Sequence, residues 1–146
     1  MSITAGEAVL AVWVALGGGM GAALRFAVDV AVTSRWRGRF PLAIFLVNVS
    51  GALALGVVLG LAGGGLVGGG LVGGGSDGEA SLPVALLGVG VLGGYTTFST
   101  ASYDTVRLLR EGRVGMSLAY AVGTMLASAV AAAVGLWLTG AWSTVG

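Results

Sequence analysis

The sequence predicts an all-α integral membrane protein, a single domain of four transmembrane helices, the third of them broken at mid-membrane. Three observations carry the prediction. Of the 146 residues, 56% are hydrophobic and a further 29 are glycine, while 9% are charged, against roughly 25% in an ordinary soluble domain. The charges leave four long gaps, 8–24, 41–76, 80–103 and 114–146, and about 20 apolar residues suffice for a helix to cross the hydrocarbon core. Inside the third gap lies Gly93-Gly94-Tyr95-Thr96-Thr97, a run that discourages continuous helix.

Each element follows from its own stretch. The first helix is expected at about 7–33 and must extend past Arg25 through Phe26, Ala27 and Val28 to be long enough. The only charge before its apolar run is Glu7. A secretory signal would place basic residues there, so this span is read as a permanent helix. Pro41, suited to a first turn, opens a second helix at about 41–62. Three triple-glycine blocks separated by Leu-Val then occupy 63–75, and 63–82 reads as a flexible linker. The third helix is expected from near Pro83 to Arg110, interrupted within 93–100, and the fourth at about 114–139.

Composition also excludes function classes. With no Cys, His or Lys, disulfide, thiolate and imidazole chemistry is absent. A net charge of +1 gives no electrostatic footprint for nucleic acid. With no set of paired carboxylates in a polar cleft either, the chain is not read as an enzyme. Gly88-Val89-Gly90-Val91-Leu92-Gly93 matches a dinucleotide fingerprint in letters, but it sits in a membrane span and lacks the βαβ context that gives the motif meaning.

The arginines orient the chain. Arg35, Arg37 and Arg39 lie in the first connection and Arg107, Arg110 and Arg113 in the connection before the fourth helix, while the termini and the glycine-rich linker hold none. Arg-rich loops stay cytoplasmic, which places both termini outside. Gly17/Gly21, Gly56/Gly60 and Gly90/Gly94 have the spacing that lets helices approach closely in lipid. Ala119, Gly123, Ala127, Ala131 and Gly135 add a small-residue stripe. Packing within the chain and a subunit contact both account for these residues, and the scarcity of bulk favours association with a second subunit.

Polar residues within the spans are the candidate functional groups, because they are costly there. Arg25 and Asp29, at i and i+4, are either a self-neutralising pair or the cationic mouth of an anion path. Asn48 is either helix-to-helix glue or a pore-lining donor. At the break, irregular backbone must be satisfied by protein or by a water-filled cavity, and freed carbonyls coordinate ions in other broken helices. Thr97, Ser99, Thr100 and Ser102 bring hydroxyls, and Phe98 an electropositive ring edge. Tyr120, Thr124 and Ser128 put one hydroxyl per turn on one face of the fourth helix. Each hydroxyl either returns its bond to the carbonyl four residues back or joins a polar track for a small anion.

Gly18-Gly19-Met20-Gly21-Ala22-Ala23-Leu24-Arg25-Phe26, Val47-Asn48-Val49-Ser50-Gly51 and, most specifically, Gly93-Gly94-Tyr95-Thr96-Thr97-Phe98-Ser99-Thr100 resemble the segments of the Fluc (CrcB) family of fluoride channels. The likeness covers nearly the whole chain outside 63–82, and the hydroxyl spacing of the fourth helix fits it too. The resemblance implies an antiparallel dimer in the cell membrane with two fluoride pores, passive fluoride efflux, and a structural, untransported Na⁺ at the interface. By that likeness Na⁺ is held by the backbone carbonyls of Gly93 and Thr96. Fluoride is lined by Asn48, Phe98, Tyr120, Thr124 and Ser128, with Thr97 and Ser99 beside them and Arg25 in the vestibule.

The signature continues to a second Phe where this chain has Ala101, and the two rings of the family cradle fluoride from different subunits. A homodimer lacks the second ring in both pores, and six arginines against none disfavour insertion in both orientations. A heterodimer with a paralogous subunit of opposite bias resolves both departures. Rival readings are a small multidrug-type transporter, which needs a mid-membrane carboxylate, and a non-conducting partner of a heteromeric channel.

Overall fold

The computed structural model describes residues 4–61 and 85–139, and all regular structure among them is helical. Helix α1 spans Ala5–Thr33. It starts ahead of Glu7 because Thr4 and Glu7 form a reciprocal cap: the Glu7 N–H donates to Thr4 Oγ1 at 3.3 Å and the Thr4 N–H to Glu7 Oε2 at 2.8 Å. Such a box satisfies two of the donors a helix start leaves open. Helix α2 spans Leu42–Leu61, directly after Pro41.

The third expected helix is divided. A wide π-helical segment α3 covers Ala85–Leu92, a short α4 covers Gly93–Tyr95, and α5 covers Phe98–Arg110. The expected start at Pro83 and the 63–82 linker lie outside the described residues. Gly112, at φ 74°, takes the left-handed conformation that glycine adopts without strain and turns the chain into α6, Val114–Leu138. Among the described residues α1, α2 and α6 are each long and apolar enough to cross a membrane. The protein is a multi-pass membrane protein.

Two layers of close packing organise these helices: α2 lies along α6, and α1 lies along α3 and α4. Glycine makes both possible. A Cβ at Gly94 would strike the Gly18 carbonyl, and one at Gly21 would strike the Val91 carbonyl. A Cβ at Gly56 would meet the Ala132 carbonyl, one at Gly60 the Thr139 side chain, and one at Gly135 the Leu53 carbonyl. All three GxxxG pairs are therefore engaged within the chain. Of the α6 stripe, Gly135 is so engaged, whereas a Cβ at Gly123 would meet nothing within 4 Å.

The interruption expected within 93–100 falls at Thr96–Thr97, and Gly93 and Gly94 ahead of it are helical. Gly94 serves the contact with α1, where absence of Cβ outweighs glycine's poor helix propensity.

Candidate functional site

Thr96 (φ −73°, ψ 157°) and Thr97 (φ −148°, ψ 123°) are extended between two helical segments, so the Thr97 N–H and both carbonyls leave the helical ladder. Asn48 of α2 takes up both groups of Thr97. Its Nδ2 donates to the Thr97 carbonyl at 3.0 Å, and its Oδ1 accepts the Thr97 N–H at 2.8 Å. In a continuing helix that N–H would serve the Gly93 carbonyl, which Asn48 thereby releases. The Thr96 N–H and Oγ1 both donate to the Leu92 carbonyl at 2.9 Å, and Arg25 Nη1 donates to the Thr96 carbonyl over 3.4 Å. Thr97 then caps α5, its Oγ1 accepting the Thr100 N–H at 3.2 Å.

The break is thus not a row of free carbonyls. Those of Thr96 and Thr97 are met by side chains from α1 and α2, which removes most of the cost of irregular backbone at this depth. Asn48 holds the break and also lines the adjoining space. Arg25 joins the break and forms no ion pair with Asp29, whose Oδ1 accepts instead from Thr33 Oγ1 at 3.2 Å.

Beside the break, between α2, α5 and α6, is a cavity of about 770 Å³ open on one side. Asn48, Thr97, Phe98, Tyr120, Thr124 and Ser128 all line it, as does Ala101 one turn beyond Phe98. Three separate segments of sequence therefore converge on one space. Phe98 is 89% exposed, its ring free of the chain's own core. Thr96 also reaches the cavity, whereas Gly93, Ser99 and Arg25 do not line it. Ser99 is exposed, with its Oγ 3.2 Å from Thr97 Oγ1. As the second residue of the run after the break, it rotates away from the side that Phe98 and Ala101 share.

The three aligned hydroxyls of α6 are not equivalent. Thr124 Oγ1 donates to the Tyr120 carbonyl at 2.6 Å, so its hydrogen is committed to the helix and only its lone pairs face the cavity. Tyr120 is 0% exposed, and neither its hydroxyl nor the buried Ser128 Oγ has a partner among the described residues. Phe40 meets the Tyr120 ring edge-on, with centroids 5.5 Å apart, and so fixes its position. An orphaned buried hydroxyl costs about 1–3 kcal/mol. Two of them on one cavity are therefore donors held ready for something small and hydrogen-bond accepting.

Asp104 escaped the sequence reading. It is 6% exposed on α5, with Arg107 Nη2 at 3.3 Å from its Oδ1. The i, i+3 spacing of the two residues was the available signal.

Comparison with known proteins agrees with this architecture. The profile of the family described as CrcB-like protein, Camphor Resistance (CrcB), matches residues 12–136. A Leifsonia xyli protein named fluoride-specific ion channel FluC 1 is 42% identical over 127 residues, covering 87% of this chain and 84% of the relative. A Nitrobacter hamburgensis protein named fluoride-specific ion channel FluC 2 is 36% identical over 84% of this chain and 90% of its own length. One from Yersinia pseudotuberculosis, also named FluC 2, is 34% identical over 90% of this chain and 97% of its own length. The matched span runs from within α1 to the end of α6 and takes in Asn48, the break and the α6 hydroxyls, so the chain belongs to the CrcB-like family of membrane proteins.

Proposed function

We propose that this chain is a subunit of a fluoride-selective channel that lets fluoride leave the cytoplasm passively and so limits its toxicity. The observation that carries the reading is the cavity on which Phe98 and the unpartnered hydroxyls of Tyr120 and Ser128 converge. Its support is the naming of relatives as fluoride-specific ion channels. Fluoride is small and strongly hydrated, so a pore must replace water with donors, and O–H groups and positive ring edges do this without a fixed charge that would trap the ion. Fluoride forms inside because hydrogen fluoride crosses lipid as a neutral acid and dissociates in a less acidic interior. A leak for the anion then suffices, without energy coupling or catalysis.

Tyr120→Phe tests this most cleanly. Its hydroxyl bonds to nothing in the described chain, so removal should leave thermal stability unchanged or slightly raised. Fluoride flux into or out of liposomes should fall about tenfold, the effect of losing a donor worth about 1.4 kcal/mol. Unchanged flux would remove Tyr120 from the pathway.

The proposal includes an antiparallel dimer in which α3, α4 and α5 together make the fourth crossing of each subunit. Ala101 borders the cavity where the signature calls for a second Phe, which favours a paralogous partner that brings its own ring over a second copy of this chain. A reporter such as alkaline phosphatase fused after Gly146 should be active if both termini lie outside. A mixed population of active and inactive fusions would instead favour the homodimer.

The proposal also includes a structural Na⁺ at the break, beside the Arg25 guanidinium that donates to the Thr96 carbonyl. A hard cation takes oxygen donors, and broken-helix carbonyls supply them elsewhere. Here the Gly93 carbonyl has lost its helical partner to Asn48, and the Thr96 carbonyl receives only the long bond from Arg25. Bound there, Na⁺ would supply positive charge that ties carbonyls of two subunits together. Flux should require Na⁺ without following its gradient, and flux that scales with a Na⁺ gradient would contradict a structural role.

The carboxylates speak against the multidrug-type reading. Glu7 is held in the α1 cap, Asp29 is bonded to Thr33, and Asp104 is paired with Arg107. None of the three is a bare mid-membrane proton carrier.

A further inference from the structure

The two arginine clusters differ in a way that their sequence spacing alone does not express. At the α5–α6 turn, Arg107 lies 3.3 Å from Asp104 and 3.9 Å from Glu111, and Arg113 lies 3.5 Å from Glu111. That cluster is largely neutralised by its own acids. At the α1–α2 connection Arg35, Arg37 and Arg39 are all exposed, and no carboxylate among the described residues pairs with any of them. From residue 30 to residue 76 the sequence contains no acid.

This connection is also a built surface. The Arg35 and Trp36 N–H groups donate to the Val32 carbonyl at 3.0 and 2.8 Å. Trp36 Nε1 donates to the Phe40 carbonyl at 3.1 Å, and the indole lies so close over Gly38 that a Cβ there would come within 2.6 Å of the ring. Arg35 Nη1 donates to the Ala31 carbonyl at 2.9 Å, pinning one edge of the guanidinium to the end of α1 and leaving its other donors outward. Beside Arg35 runs a groove of about 470 Å³, lined by Ala31, Val32, Arg35, Trp36 and Leu42, with Arg37 and Arg39 two and four residues further along the same exposed connection.

We propose that this groove binds one anionic glycerophospholipid, with Arg35, Arg37 and Arg39 holding the headgroup phosphate and Val32 and Leu42 meeting the first carbons of an acyl chain. The fit is of charge and polarity together. Guanidinium pairs with phosphate through parallel charge-assisted bonds, anionic lipids concentrate basic segments at the cytoplasmic leaflet, and apart from Arg35 the groove is lined by Ala31, Val32, Trp36 and Leu42. An acidic protein surface would match the arginines but not the apolar groove. The inference does not depend on what the channel conducts.

The test uses the purified full chain in mild non-ionic detergent with equal amounts of phosphatidylglycerol and phosphatidylcholine, read by native mass spectrometry. Phosphatidylglycerol adducts should exceed phosphatidylcholine adducts at least fivefold. The double variant Arg37→Gln/Arg39→Gln should bring the ratio near one, Arg37→Lys/Arg39→Lys should keep part of the preference, and Arg110→Gln should leave it unchanged. A preference that survives the glutamine variant, or that disappears equally in Arg110→Gln, overturns the assignment. Complete displacement of the lipid by millimolar inorganic phosphate also overturns it, by showing a free-anion site.

Discussion

Asn48→Leu is expected to reduce fluoride efflux about a hundredfold while lowering the thermal midpoint by several degrees. The substitution leaves the Thr97 N–H and carbonyl without the partners now at 2.8 and 3.0 Å. Two buried hydrogen bonds, each worth about 1–1.5 kcal/mol, then no longer favour the extended geometry over alternatives, and a shift of about 3 kcal/mol depopulates a conformation roughly a hundredfold. Thermal unfolding and flux measured on the same protein separate the two roles of the residue. Loss of both reports the clamp, whereas loss of flux with an unchanged midpoint reports direct contact with the ion. Wild-type flux with wild-type stability would exclude both roles.

The second large effect belongs to the glycine crossing. Gly21→Val and Gly94→Val place branched side chains where a single Cβ already collides with the Val91 and Gly18 carbonyls. Backbone cannot yield as a flexible side chain does, so α1 must separate from α3 and α4. Overpacking commonly costs about 1–3 kcal/mol per site, and the displacement also pulls Arg25 from the Thr96 carbonyl. Expected outcomes are a large loss of folded protein, and in any folded remainder a collapse of flux. Gly123→Ala is the comparison: its Cβ meets nothing within 4 Å among the described residues, and alanine favours helix by about 1 kcal/mol over glycine. If Gly123→Ala leaves the monomer stable yet disrupts subunit association, that face of α6 is the interface. Equal tolerance of all three substitutions would contradict the packing described.

These two results also mark what was legible in the sequence. Charge gaps find the apolar stretches of α1, α2 and α6, because the cost of charge in lipid is a local property of each stretch, but the gaps 8–24, 41–76 and 114–146 do not mark where these helices end. The break was legible as a region but not to the residue. Gly93 and Gly94 carry the strongest local signal against helix, yet both are helical, and Gly94 packs against Gly18 of α1. Thr96–Thr97 extends because Asn48, 49 residues away in sequence, supplies the hydrogen bonds, and no local pattern contains that information.

The candidate pathway shows the same division. Periodicity puts Tyr120, Thr124 and Ser128 on one face of α6, and they do share the cavity. Which hydroxyl is free depends on rotamer choice: Thr124 turns back to its own helix while Tyr120 and Ser128 have no partner among the described residues. Ser99 carried the right chemistry at the wrong angle around α5. Arg25 carried an i+4 acid that it does not use, because the Thr96 carbonyl lies within its reach. Ala101 is the informative departure, since its small side chain borders the cavity where the family signature places a ring.

Fluoride efflux from liposomes tests the central claim most directly, with the chain reconstituted alone and together with a paralogous subunit of opposite arginine bias. The account predicts rapid fluoride loss from liposomes holding the pair, none from liposomes loaded with chloride, and a steep reduction when this chain carries Tyr120→Phe and Ser128→Ala together. Flux from the chain alone should be low if the second ring must come from a partner. If neither the chain nor the pair releases fluoride faster than protein-free liposomes, the cavity beside the break is not a fluoride path.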